Sequence, residues 1–141
     1  MDLTDALDFI RPRRQGVLTT IRANGRPQLS NIMFVTAADG SINISVTDDR
    51  AKTRNLRRDP RASLYVLGDT FWQYVVLEAT AELTPVAADP HDATVDRLVE
   101  YYKVGVGEHE DWEEYRAAMV KDRRLVLTLR PERAYGIGAS A

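Results

Sequence analysis

Two apolar runs, residues 17–21 and 27–36, flank the dipeptide Asn24-Gly25, whose residues tolerate positive φ; this pattern commits the chain to an antiparallel hairpin. A second turn signal, Asp39-Gly40, leads into Ile42, Ile44 and Val46, which alternate with Ser41, Asn43, Ser45 and Thr47. Such alternation buries one face of a strand and wets the other. Residues 62–67 continue the theme with Ala62, Leu64 and Val66 on one side, and residues 71–84 read as a strand long enough to bend or bridge two sheets. Residues 125–129 form a continuous apolar strand suited to a closed core, and 134–137 add a short last one. The links are short, and no regular strand–helix alternation runs through the chain, which argues against a doubly wound parallel sheet. Seven or so hairpin-linked strands predict a mainly β fold, a β-barrel with flanking helices.

The helices are few. Leu3, Ala6, Leu7 and Ile10 share helical spacing over residues 2–10, and Pro12 ends that helix. After a turn-rich break at 85–90, residues 93–102 and 111–120 predict two helices separated by Gly105-Val106-Gly107, read as a lateral insertion. Trp112, Tyr115 and Met119 fall on one face of the second, where core packing is the better reading. With 141 residues, one domain spanning 1–141 is expected. A net charge of −2 argues against a general nucleic-acid binder and points to a small-molecule partner. The absence of cysteine excludes disulfides and thiolate-held metals and fits a reducing compartment. No run approaches the ~18 apolar residues of a membrane span. Asp2, Asp5 and Asp8 stand where a signal peptide would be basic, so a cytoplasmic protein without membrane attachment is expected.

Against that acidic background one patch stands out. Arg50, Lys52, Arg54, Arg57, Arg58 and Arg61 crowd into a short helical stretch directly after a strand. A strand, a capping Thr or Asp and then cations in the first helical turn bring backbone N–H groups, helix dipole and side-chain charge to bear on one phosphate. On a helical wheel Arg50, Arg54, Arg57 and Arg61 share a stripe, while Lys52 points toward the opposite face beside Leu56. A sheet-facing lysine costs stability unless an anion meets it. For the outer arginines a solvated surface paired with Asp48, Asp49 and Asp59 competes with a binding role.

Taken in order, Gly25-Arg26-Pro27-Gln28-Leu29-Ser30-Asn31, Ser45-Val46-Thr47 and Arg50-Ala51-Lys52-Thr53-Arg54-Asn55-Leu56 resemble the pyridoxamine 5′-phosphate oxidase-like split-barrel flavoproteins. The segments 71–81 and 122–127 look like that family's long central and closing strands, so the likeness covers nearly the whole chain. The run from Arg50 to Ser63 looks most like the mycobacterial and actinobacterial deazaflavin (coenzyme F420) enzymes of this family.

The resemblance implies a homodimeric split β-barrel of the FMN-binding type, with the cofactor in a groove between subunits. By motif, Arg50 and Lys52 fall where the family grips the flavin phosphate, with Thr47 and Thr53 as hydroxyl donors, and Gln28, Ser30, Asn31, Ile32 and Met33 fall on the strand facing the ring. An ordinary half-exposed strand is the other reading of that last segment. Arg54 and Arg57, with Arg58 and Arg61, suit the acidic tail of F420, which favours that cofactor; FMN is the alternative. The expected activity is hydride transfer from reduced F420 to a conjugated or quinone-like small molecule. An FMN-dependent oxidase of the pyridoxamine-phosphate type and a non-catalytic flavin carrier stay open beside it. Residues 130–138 lack a convincing equivalent of the basic and histidine set that holds the substrate phosphate in pyridoxamine phosphate oxidases. Trp72 and Tyr74, read on one face of the long strand, either wall the substrate pocket or fill the barrel or the interface. Tyr101 and Tyr102 beside Gly105 and Gly107 suggest a mobile lid. His91 and His109 form no hydrolytic or metal-binding pattern, so no catalytic residue and no metal site is assigned.

Overall fold

The computed structural model describes residues 1–138. Helix α1 (Leu3–Ile10) starts at Asp2, whose carboxylate accepts from the Thr4 N–H at 2.7 Å, and buries Ala6, Phe9 and Ile10. Strands β1 (Gln15–Ile21) and β2 (Pro27–Met33) form the expected hairpin, with Gly25 at φ +85° in the turn. The return strand is shorter than the expected 27–36. At Phe34 the backbone N–H makes the last bond of the β1–β2 register, to the Arg14 carbonyl at 2.7 Å, and the ring enters the core. Beyond it, β3 (Val35–Thr36) pairs instead with β4 (Ile42–Thr47).

That single break shapes the barrel. Helix α2 (Ala51–Arg58), β5 (Arg61–Leu67), β6 (Tyr74–Leu83), α3 (Ala93–Gly105), α4 (Trp112–Lys121) and β7 (Arg124–Ile137) complete the chain. The antiparallel sheet runs β2-β1-β5-β6-β7-β4-β3, so two strands separated by one residue lie at opposite edges. Only a sheet curled back on itself brings those edges together. The fold is therefore mainly β, a seven-stranded curled barrel with flanking helices, as expected.

Two expected segments differ. Residues 71–73 belong to the loop joining β5 to β6, not to a strand: the Gly68 N–H donates to the Gln73 carbonyl at 2.7 Å and closes that loop. Phe71 and Trp72, 75% and 74% exposed, meet edge to face at its tip, with ring centroids 4.8 Å apart. Conversely, the two C-terminal strands are one. β7 runs unbroken past Pro131, which stands opposite Ala79 next to a bulge at Glu78/Ala79 that leaves Glu132 without a partner in the β6 register, a place where a missing N–H is tolerated.

The core explains the apolar run 125–129. Leu125, Leu127 and Leu129 point into the barrel with Leu18, Ile44, Leu64 and Leu77, while Val126 faces outward into a second cluster with Val95, Leu98, Val99, Tyr115 and Met119. Each such leucine contributes roughly 1.5–3 kcal/mol by burial. Helices α3 and α4 thus pack onto the outside of the barrel wall beside β4 and β7. Trp112, Tyr115 and Met119 pack there as expected.

Candidate functional site

Strand β4 ends at Thr47, and the turn into α2 is held from three sides. The Thr53 hydroxyl donates to the Thr47 carbonyl at 2.8 Å, the Thr47 hydroxyl to Asp49 at 2.8 Å, and the Asp48 N–H to the Arg123 carbonyl at 2.9 Å. Both threonines, expected as hydroxyl donors beside the phosphate, donate here within the chain, and Thr53 is 1% exposed. Arg50 is the N-cap of α2, extended and exposed, with no side-chain cap bond. The first turn of α2 thus leaves N–H groups facing outward beside a cation.

Lys52 leaves the arginine stripe, as the helical wheel predicts. Its ammonium lies 3.5 Å from the Ser30 hydroxyl on β2 and faces a hollow of about 420 Å³. Asn31, Ile32, Met33, Ser45, Tyr101, Tyr102 and Arg124 also line it. Burial, together with the Arg50 and Arg124 charges, holds the Lys52 ammonium below its ordinary range. Among the described residues neither Lys52, Arg50 nor Arg124 forms an ion pair with a carboxylate. The Arg124 guanidinium donates to the Ser45 hydroxyl at 3.2 Å, and the Tyr101 hydroxyl to the Met33 carbonyl at 2.9 Å.

The outer arginines behave differently. Helix α2 stops at Arg58, because Pro60 forces Asp59 into extended backbone (φ −139°), so Arg61 belongs to β5 and not to the helical stripe. Arg61 binds Asp59 at 2.7 Å. Arg57 binds Asp48 at 2.7 Å, and Arg58 donates to the Ile21 carbonyl at 2.6 Å and to Asn55 at 3.3 Å. Arg54 is exposed and has no such partner among the described residues.

Strand β2 separates two hollows. Its residues Asn31, Ile32 and Met33 border the Lys52 hollow and also a groove of about 560 Å³ on the outer face, with Gln15, Gly16, Val17, Tyr65 and Leu67. Gln28 is half-buried and lies directly across from Thr20. Because β2 is a sheet edge, one side of its backbone is not taken by a neighbouring strand. Tyr74 stacks on Tyr65 at 5.5 Å and so stands beside the groove. Trp72 does not share its face and lines neither hollow, since it belongs to the exposed turn.

The expected lid is packed in place: α3 continues to Gly105, where a Cβ would sit 3.1 Å from Met33 and Val35 side-chain carbons, and Gly107 makes the following turn at φ +122°. His91 is exposed beside Glu113, and His109 packs against Tyr102, Trp112 and Tyr115. Among the described residues no three His, Asp or Glu side chains converge as metal ligands do. None of the described helices is long and apolar enough to cross a membrane.

Sequence reasoning missed Arg124. Its signal was the pair Arg123-Arg124 at the start of an apolar strand, which shows nothing of the β4–β7 register that sets Arg124 opposite Thr47.

A family model described as pyridoxamine 5′-phosphate oxidase matches residues 4–138. Among solved structures, one described as an F420 reductase superposes with a TM-score of 0.69 at 21% identity, over 91% of this chain and 94% of that one. A conserved hypothetical protein of Mycobacterium tuberculosis gives 0.73 at 24% identity, over 98% and 85%. The heme storage protein HutZ of Vibrio cholerae gives 0.69 at 18% identity over the full length of both chains. At these identities the structures share the fold.

Proposed function

The chain belongs to the pyridoxamine 5′-phosphate oxidase family, and from that premise we propose that it is a coenzyme F420-dependent reductase acting on a conjugated or quinone-like small molecule. The observation that carries the reading is Lys52: a half-buried ammonium without a carboxylate partner, beside Arg50 at a helix N-terminus and the Ser30 hydroxyl. This arrangement suits the cofactor phosphate, because a guanidinium and an ammonium arriving from different sides neutralise it better than either alone. The reduced deazaflavin, when bound, supplies a hydride.

The protein's own part is orientation and dryness. Arg50 and Lys52 hold the phosphate at one end of β2, and the edge of β2 from Ser30 to Met33 offers backbone donors and acceptors to the polar rim of a planar ring. Ile32, Met33, Tyr65 and Leu67 wall the groove against water. On the outer face Leu29, Tyr65, Leu67, Tyr135 and Ile137 are exposed, which supports a homodimer in which a second protomer covers the groove and completes the site. A cytoplasmic location is part of this reading.

One observation favours FMN as the second reading. Arg57, Arg58 and Arg61 already have partners in the chain, so of the outer arginines only Arg54 is free to meet an acidic tail without exchanging a contact. Titrating the protein with oxidised F420 and with FMN, following flavin fluorescence, separates the two. Saturable F420 binding that FMN displaces poorly is expected; FMN binding alone replaces the first reading with the second, and binding of neither overturns both. Oxidation of F420H2 by a panel of quinones and biliverdin, no faster than without protein, would make the protein a carrier.

A further inference from the structure

Two cations from distant parts of the sequence, Lys52 and Arg124, line one hollow, and the charge of the exposed Arg50 reaches Lys52 from the α2 N-terminus; the family resemblance accounted for Arg50 and Lys52 but not for Arg124. Strand pairing sets Arg124 directly across from Thr47, the last residue before the α2 turn. Its charge reaches Lys52, Tyr101 and Tyr115, all of which line the same hollow. The Ser45 hydroxyl holds the guanidinium from below, and helices α3 and α4 close over it with Tyr101, Tyr102, Tyr115 and Met119. The carboxylate of Asp122 stands at the rim and forms no ion pair with Lys52 or Arg124.

A half-buried pair of cations without a counter-ion costs free energy in the empty protein, and an anion with two negative charges relieves it. We propose that Arg124 is the third cation of a single anion seat with Lys52 and Arg50, and that this seat, roofed by the α3–α4 pair, binds a phosphate within one protomer. Ser30 and Ser45 supply the neutral hydrogen bonds, one on each side of the anion. The inference deepens the proposed phosphate site and shares with it the roles of Arg50 and Lys52. It adds that the phosphate end needs no second subunit, and that the β7 start and not only α2 sets its affinity.

The test uses inorganic pyrophosphate as probe, titrated calorimetrically at constant ionic strength into the intact protein and into Arg124→Gln, Ser45→Ala and Arg22→Gln. The loss of one charge-assisted contact predicts about tenfold or greater weakening in Arg124→Gln. Arg22→Gln, which removes an equal charge at the exposed β1–β2 turn, is expected to bind as the wild type does, and Ser45→Ala to fall between. Binding by Arg124→Gln within about twofold of wild type overturns the proposal. If that variant does not fold, phenylglyoxal modification of the wild type decides: pyrophosphate should protect Arg124 and not Arg22, and equal labelling of Arg124 with and without pyrophosphate overturns it.

F420 and FMN titrated into the same proteins keep this inference distinct from the proposed function. Pyrophosphate bound through Arg124 with no flavin bound overturns the function and supports the seat. Flavin bound equally by wild type and Arg124→Gln overturns the seat and supports the function.

Discussion

The side-chain amide of Asn55 donates to the Thr20 hydroxyl at 3.1 Å, and both residues are buried, at 7% and 0% exposure. Through this bond α2 is pinned to β1 inside the barrel wall, with Leu56 packed alongside. The face of α2 that carries Lys52 is thereby fixed toward Ser30 and the hollow.

Asn55→Ala strands the Thr20 hydroxyl in the core. Urea denaturation should show a loss of about 1–3 kcal/mol. The same variant should bind pyrophosphate more weakly although Asn55 does not touch the anion, because α2 is no longer held at one angle.

Replacing Lys52 separates its cost from its use. A lysine whose folded-state pKa lies below its unfolded value of 10.5 binds fewer protons in the native state than in the unfolded one. Its penalty is therefore present in full below the folded value and fades as pH rises toward 10.5. Lys52→Met should be more stable than wild type near neutral pH, with the difference shrinking at alkaline pH. Lys52→Ala should weaken cofactor binding by about 1.5–3 kcal/mol, and wild-type affinity for the anion should fall as the solution becomes alkaline. Paired urea melts at two pH values, and titrations at the same two, check both signs.

The Arg61 guanidinium and its backbone N–H hold the Asp59 carboxyl down to about 2, against an ordinary value of 3.8. The stabilisation is complete above 3.8 and is lost as pH falls toward about 2. Carboxyl carbon shifts measured by NMR should place the Asp59 midpoint near the lower value. In Arg61→Gln the midpoint should return toward the upper one; a midpoint unmoved by the substitution would show that the pair does not form in solution.

Phe34 is fully buried at the break where the chain leaves β2 for β3. Phe34→Ala should cost about 3–5 kcal/mol in denaturant melts. Hydrogen exchange should quicken at Met33 and Val35 more than at the distant β5–β6 ladder, since the ring anchors both barrel edges.

Much of the fold was legible because hairpins and amphipathic strands write their burial locally: Asn24-Gly25 marks one turn, and Ile42, Ile44 and Val46 mark one inward face. The misread segments lacked such a local signal. Phe71 and Trp72 have strand-like side chains but stand on a turn closed by the Gly68 to Gln73 hydrogen bond. The expected strands 125–129 and 134–137 leave Pro131 between them, yet a bulge beside the Ala79–Pro131 pair carries β7 through it. Arg61 fits a helical stripe, yet Pro60 has already ended the helix. In each case a pairing or backbone constraint outweighed the side-chain pattern.

The sequence by itself determined a mainly β, antiparallel chain, the cationic helix after β4, and the separation of Lys52 from its arginine neighbours, because periods of 2 and 3.6 residues set which side chains share a face. Only the tertiary structure decided which cations act together. Arg57, Arg58 and Arg61 were withdrawn from the patch by Asp48, Ile21 and Asp59, and Arg124 entered it from 72 positions beyond Lys52. That meeting depends on the curl of the sheet and the β4–β7 register, which arise from packing the whole core and leave no mark on any single stretch of chain.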